Sequence, residues 1–308
     1  KIKAEGGRWE DFTNFEGNAN SIRLLIHQFK GRRPGGFVMT YSMLASMVKY
    51  PYESSLAGEH GKFGFFTFEK ETYQKVAEEL GISCLSSPGK PLRYARHPLV
   101  YLVEAADDIC YEIMDIEDSH KLKILSYEET RDLLLNFFEE ERRESILRRI
   151  QDEGITDENE QVVYMRACVI GVLEKACVDI FVKHEEELLA GTFQGSLIGH
   201  IPEQQKAAYQ HCQKISYEKI YNSKPVLDIE LSGYKIMETL MRIFIGAAVH
   251  PDKFYSRQLI RRVSSQYDIN SPEKEKRIMA VLDFISGMTD VYALDLYQKV
   301  NGISLPIV

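Results

Sequence analysis

The sequence predicts an all-α fold with at most a small β element, and three observations carry that expectation. Apolar residues recur at three- and four-residue steps along most of the chain, the period of a helix face. Glycine and proline gather in the stretches between these segments, where they break helices. Only Val226-Leu227-Asp228-Ile229-Glu230-Leu231 alternates as a strand would, and one short strand cannot make a sheet.

Taken in order, Gly17 to Phe29 and Thr40 to Lys49 read as helices split by the GRRPGG loop. Tyr50 to Phe68, rich in Pro, Gly and aromatic residues, reads as an irregular surface loop. Glu69 to Leu80 is amphipathic and stops at Gly81. After the Pro88-Gly89-Lys90-Pro91 turn a long central helix starts near His97 and runs to about Ser119. Two charged helices follow, Tyr127 to Phe138 and Glu139 to Glu153, then Val162 to Leu189 and Glu203 to Tyr221. Gly233 to Val249, Ser256 to Tyr267 and Glu273 to Val300 complete the set.

With 308 residues the chain can bury a substantial core, and 44% hydrophobic with 27% charged residues excludes a disordered protein. The longest apolar run, Ile243 to Val249, falls far short of the roughly 20 residues a membrane span needs. A formal charge of −8 argues against a globally basic nucleic-acid binder but leaves room for a local cationic pocket. Five cysteines without C-x-x-C spacing read as small core residues of a protein in the reducing cytoplasm.

The most informative stretch is HPLVYLVEAADDICYEIMDIEDS, His97 to Ser119. Leu99, Leu102, Val103, Ala106, Ile109, Cys110, Ile113 and Ile116 mark a core-facing surface. Beside it stand Asp107, Tyr111 and Asp115, four residues apart, so that their stripe winds by about 40° per step. Either these acids mark the solvent boundary, or they line a pocket in which they gain a metal or hydrogen-bond partners.

EAADDICY resembles the AADDI-x-Y segment of the deoxyguanosine triphosphate triphosphohydrolases, a branch of the HD-domain phosphohydrolases. Three more segments agree in order: NFEGNANSIRLL (Asn14 to Leu25) with the family's FEGNAQ helix, YSMLASMVKYPY (Tyr41 to Tyr52) with its lysine-tyrosine helix end, and FISGMTDVYALDLYQ (Phe284 to Gln298) with its SGMTD-x-YA helix. The resemblance implies an HD-type helical core with additional C-terminal helices. Residues 1–125 would be the remainder of that core and 126–308 a helical region packing on it, or the whole one continuous domain. The family's His...His-Asp pair and its Gly-His-x-Gly-Glu type segment are missing here, so the chain reads as the C-terminal two-thirds of a longer enzyme whose catalytic His and Glu lie upstream of Lys1.

Position by position, the resemblance makes Asp107 the last metal ligand, for Mg²⁺ or Mn²⁺. It places Tyr111 beside the nucleoside, gives Asp115 the sugar 3′-hydroxyl, and sends Lys49 and Tyr50 to the triphosphate. A carboxylate suits a hard divalent cation, a phenol can pack on a base or sugar, and a lysine supplies a mobile positive charge. Asp108 receives no role. Glu16, Asn18 and Arg23 favour a structural reading, with Asn18 as a capping candidate, and so does Asp290. Arg142-Arg143 and Arg148-Arg149 read as a solvated face.

The implied activity is metal-dependent hydrolysis of dGTP, or dNTPs more broadly, to deoxynucleoside and inorganic triphosphate by water attack at the α-phosphorus. The alternatives are a nucleotide-binding regulatory or assembly homologue without activity, and an HD phosphodiesterase of other specificity. The same resemblance implies a homo-oligomer, often a hexamer in the family, with single-stranded DNA as a further partner and no membrane.

Overall fold

The computed structural model describes residues 9–32 and 36–304; Arg33, Pro34 and Gly35 of the GRRPGG loop lie outside the described residues. It is all-α. Among the described residues the only β features are two isolated bridges, Glu53 with Phe65 and Cys84 with Tyr94. No described helix is long and apolar enough to cross a membrane. The chain divides into two compact units, Lys1–Thr40 with Tyr52–Gln74 and Asp228–Val308, and Tyr41–Pro51 with Lys75–Leu227. Position 125/126 falls inside the second.

In the first unit, α1 (Trp9–Thr13) and α2 (Gly17–Ile26) precede the aromatic loop. Glu16, rather than Asn18, caps α2: its carboxylate accepts from the backbone N–H of Asn18 and Ala19, at the positive end of the helix dipole. The Tyr50 to Phe68 stretch is irregular as expected, but it is no surface loop. Phe63, Phe65 and Phe66 are fully buried, and Phe65 stacks on Tyr73 with ring centroids 4.6 Å apart. Burying such rings outweighs the disorder that Gly and Pro otherwise favour. Buried Asp11 ties the loop down, accepting from Ser54 Oγ at 2.6 Å and from the Thr67 backbone N–H at 3.0 Å. Burial pushes the Asp11 carboxyl above its ordinary range, and those hydrogen bonds oppose the shift.

The C-terminal elements of this unit are α11 (Lys224–Val249), α12 (Phe254–Ile260), α13 (Lys274–Ser286) and α14 (Asp290–Val300). The expected strand at 226–231 is helical, forming the first turns of α11. A lone alternating run has no strand to pair with, and Pro225 in the first turn is compatible with a helix start. The Glu273 to Val300 helix is broken by Gly287, and Thr289 caps its second half by accepting from the Tyr292 N–H. Leu240, Phe244, Ala247, Val281 and Ile285 form one core cluster. Across the fold, Arg23 of α2 donates from Nε and Nη2 to Asp283 of α13 at 2.7 and 2.8 Å, and from Nη1 to Glu69. All three side chains are buried. Burial works against the Arg23 charge, but Asp283 and Glu69 more than offset it and raise its pKa.

The second unit is built on α5 (Val100–Lys121) packed along α8 (Glu158–Lys183). Val162, Met165, Val169 and Leu173 of α8 recur at three and four residues and meet Ile109, Ile113 and Ile116 of α5 in one core. Around them lie α3 (Tyr41–Ser46), α6 (Tyr127–Leu135), α7 (Glu140–Asp152), α9 (Glu185–Leu189) and α10 (Glu203–Ile215), while the residues of α4 (Lys70–Glu79) are divided between the two units. Ser126 and Glu129 form a capping box at α6. The expected helix from Val162 to Leu189 is two, separated at His184. A π-turn, Ser216–Ile220, ends α10.

The cysteines divide. Cys177 and Cys212 are buried as expected, whereas Cys84 and Cys110 are exposed and Cys168 is half-buried. Burial pushes the Cys177 thiol up to about 11 and the Cys212 thiol up to about 12. In the native protein at neutral pH, a maleimide should therefore label Cys84 and Cys110 within minutes and spare Cys177 and Cys212 until denaturant is added, as read by peptide mass spectrometry. Arg23→Met, which strands two buried carboxylates, should cost ~3–5 kcal/mol in a urea melt, far more than the surface change Arg149→Met.

Candidate functional site

The candidate residues all belong to the second unit and are organised by α5. The core-facing surface of α5 is only partly the one its apolar residues suggest: Ile109, Ile113 and Ile116 are buried and Leu102 packs against the core. Tyr101, Ala105, Ile109, Ile113 and Ile116 are buried, whereas Leu99, Val103, Ala106 and Cys110 are exposed. Apolar residues occur around most of this helix, and only one side meets α8. The side bearing Val103, Ala106, Asp107, Cys110 and Tyr111 is an exposed shoulder, whereas Glu112, Glu117 and Ser119 are buried.

The four-residue stripe winds across this shoulder. Asp107 is exposed, Tyr111 is 68% exposed, and Asp115, two steps of about 40° further round, is half-buried. There it accepts a hydrogen bond from the Tyr221 hydroxyl at 2.7 Å. Burial raises the Tyr221 phenol, and its bond to the Asp115 carboxylate raises it further, so it is a dedicated donor at neutral pH. Next along the helix, buried Glu112 accepts from Ser216 Oγ at 2.8 Å. Burial raises the Glu112 carboxyl, Ser216 opposes that, and the charge of Asp115 adds to it. Ser216 opens the π-turn and Tyr221 follows it, so one local irregularity delivers both hydroxyls to α5. Such turns recur at functional sites. Ser216 and Tyr221 had no signal in the sequence, since their partners lie over a hundred residues away.

At the N-terminal end of the stripe, Lys49 approaches α5. Its ammonium lies 3.4 Å from Glu104 Oε1, 3.9 Å from Asp108 Oδ1, and 6.0 Å from the Tyr50 ring centroid. Burial opposes the Lys49 charge, but Glu104 and Asp108 outweigh it, so the lysine stays protonated. Asp108, which sequence reasoning gave no part, is thus the acid facing Lys49. Burial raises its carboxyl and Lys49 lowers it, while Glu104 and Asp107 raise it again. Glu104 is also held by Arg96 at 2.6 Å, whose guanidinium sits 4.1 Å over the Tyr101 ring. Lys49, Arg96, Glu104 and Asp108 form a charged network flanking Asp107.

For a metal the fit is incomplete. Asp107 offers one carboxylate, and among the described residues no group of three or more His, Cys, Asp or Glu side chains could hold an ion. The arrangement can present a cation beside carboxylates and a directed carboxylate acceptor about 12 Å further along the helix.

Known proteins resemble this chain along most of its length. Residues 199–299 match the phosphohydrolase-associated domain. A deoxyguanosinetriphosphate triphosphohydrolase-like protein of Pseudomonas aeruginosa (strain LESB58) is 33% identical, over 96% of this chain and 67% of its own length. A protein of the same description from Synechocystis is 32% identical over the same shares. A deoxyguanosinetriphosphate triphosphohydrolase of Yersinia enterocolitica is 24% identical over 94% of the chain and 64% of its own length. The chain thus spans about two thirds of the relatives it matches. On this similarity, which runs through α5 and almost the whole sequence, the chain belongs to the deoxyguanosinetriphosphate triphosphohydrolase-like family of HD phosphohydrolases.

Proposed function

We propose that this chain carries the nucleoside-binding part of a cytoplasmic deoxynucleoside triphosphate triphosphohydrolase, acting on dGTP or related dNTPs. The observation that supports it most is the pairing on one helix of a fixed carboxylate acceptor, Asp115 held by Tyr221, with a protonated Lys49 two to three turns away. Asp115 takes the sugar 3′-hydroxyl, Tyr111 packs against the nucleoside, and Lys49 with Tyr50 meets the phosphates. A charge-assisted bond to a hydroxyl contributes about 1.5–3 kcal/mol, enough to select for its presence. Hydrolysis at the α-phosphorus releases deoxynucleoside and intact triphosphate.

Asp107 is one ligand for Mg²⁺ or Mn²⁺ in this reading, and the remaining ligands belong to the His...His-Asp segment that the resemblance implies and this sequence does not contain. The alternative is a nucleotide-binding homologue without activity. Assembly as a homo-oligomer belongs to the same reading.

Incubating the natural full-length protein with dGTP and Mn²⁺ should release inorganic triphosphate, detected by ion chromatography. Asp107→Ala should reduce turnover at least a hundredfold; nucleotide binding without triphosphate release from the wild type would instead favour the inactive homologue. Tyr221→Phe, which frees Asp115 without removing it, should raise KM for dGTP roughly three- to tenfold, the equivalent of about one hydrogen bond, and leave kcat within a factor of two.

A further inference from the structure

The charged network at the N-terminal end of α5 is unevenly bonded. Glu104 divides its two carboxylate oxygens between two cations. Oε2 accepts from Arg96 Nη2 at 2.6 Å, whereas Oε1 stands 3.4 Å from the Lys49 ammonium. The first is a short charge-assisted hydrogen bond. The second, like the 3.9 Å approach of Lys49 to Asp108, is longer than the roughly 2.7–2.9 Å that such bonds adopt. Lys49 is steered by two acids and captured by neither.

Arg96 can hold Glu104 because it is itself clamped. Its guanidinium lies 4.1 Å over the ring of buried Tyr101, which is fixed in turn by donating to the Phe193 carbonyl at 3.0 Å. Arg96 Nη1 donates to the Gly195 carbonyl at 3.5 Å. Arg96 Nε, by contrast, is buried without a hydrogen-bond partner, so this placement is not the one that best satisfies the guanidinium's own donors. What it does satisfy is Glu104. Charge points the same way. Lys49 and Arg96 together balance Glu104 and Asp108, and without Arg96 one carboxylate would be left uncompensated beside Lys49. An uncompensated acid there repels any polyphosphate that approaches the lysine.

We propose that Arg96 is a positioning residue for the phosphate contact: by holding Glu104 Oε2 it stops that carboxylate from closing on Lys49, and so leaves the Lys49 ammonium able to shift to the phosphates of a nucleotide. This rests on the assignment of Lys49 to the phosphates made above. Arg96 itself touches no phosphate; its effect passes through Glu104 and Lys49. Once Arg96 is truncated, Glu104 closes from 3.4 Å to full hydrogen-bond distance, and a nucleotide has to break that ion pair before it gains the lysine.

The test is calorimetric titration of the full-length protein with dGTP in Ca²⁺. Arg96→Gln should raise Kd about tenfold in the wild-type background and by less than about twofold in a Lys49→Gln background, where no lysine is left to capture. The double variant Arg96→Gln/Glu104→Gln removes the captor and restores the charge balance, so its Kd should return to within about threefold of the wild type. A merely structural Arg96 predicts neither result, since its loss would act with or without Lys49 and removing Glu104 as well would not repair it. Should Arg96→Gln fail to fold by circular dichroism, Glu104→Gln alone decides: it should bind dGTP as tightly as the wild type or more so, and binding weaker by more than about threefold overturns the proposal. Equal weakening by Arg96→Gln with and without Lys49, or no recovery in the double variant, overturns this inference alone. A wild type that does not bind dGTP, or a Lys49→Gln protein that binds it as tightly as the wild type, overturns the functional reading beneath it.

Discussion

The seating of one side of α5 on α8 is the constraint on which the rest of the site depends. Ile109, Ile113 and Ile116 are buried against α8, and full burial of each contributes about 1.5–3 kcal/mol. A single hydrogen bond contributes about 0.5–1.5 kcal/mol net, so the apolar contact sets the rotation of the helix and the polar side chains inherit their directions. Asp107 and Tyr111 consequently point outward, Glu104 and Asp108 meet Lys49, and Asp115 winds round to Tyr221. Rotation by one residue, about 100°, would drive a carboxylate into the core and separate every one of these pairs.

The first unit is organised by a different interaction. Arg23 sits between two carboxylates from elements 46 and 260 residues away in sequence. A buried ionic group of this kind adds little net stability over an apolar replacement, but it tolerates few alternative packings once its partners are in place. The segments around Glu16 and Arg23, although they are among those that resemble the family, therefore serve the fold: Glu16 caps α2 and Arg23 joins α2 to α13.

Local patterns made most of the helices legible in the sequence. The three- and four-residue recurrence in α8 survives into the structure because that whole stripe is buried. The same rule misled at α5, where apolar residues on the exposed side have the same spacing as those in the core, and at 226–231, where alternation can be laid on a helix as well as on a strand. Thr289 and Gly287 are ordinary helix boundary signals, yet the apolar periodicity on either side obscured the break. Of the site, the residues on α5 and the Lys49-Tyr50 pair could be named from motif resemblance. Tyr221, Ser216 and the facing of Asp108 toward Lys49 could not, since each depends on a tertiary contact that local sequence does not encode.

The central claim is that Asp115, oriented by Tyr221, receives a deoxyribose hydroxyl. Calorimetric titration of the full-length protein with dGTP and with 2′,3′-dideoxyguanosine triphosphate, under non-turnover conditions with Ca²⁺, tests it most directly. The account predicts that dGTP binds at least tenfold more tightly, the equivalent of about 1.4 kcal/mol, and that Asp115→Asn removes most of the difference. Equal affinities for the two nucleotides in the wild type, or a preference unchanged in Asp115→Asn, would contradict it.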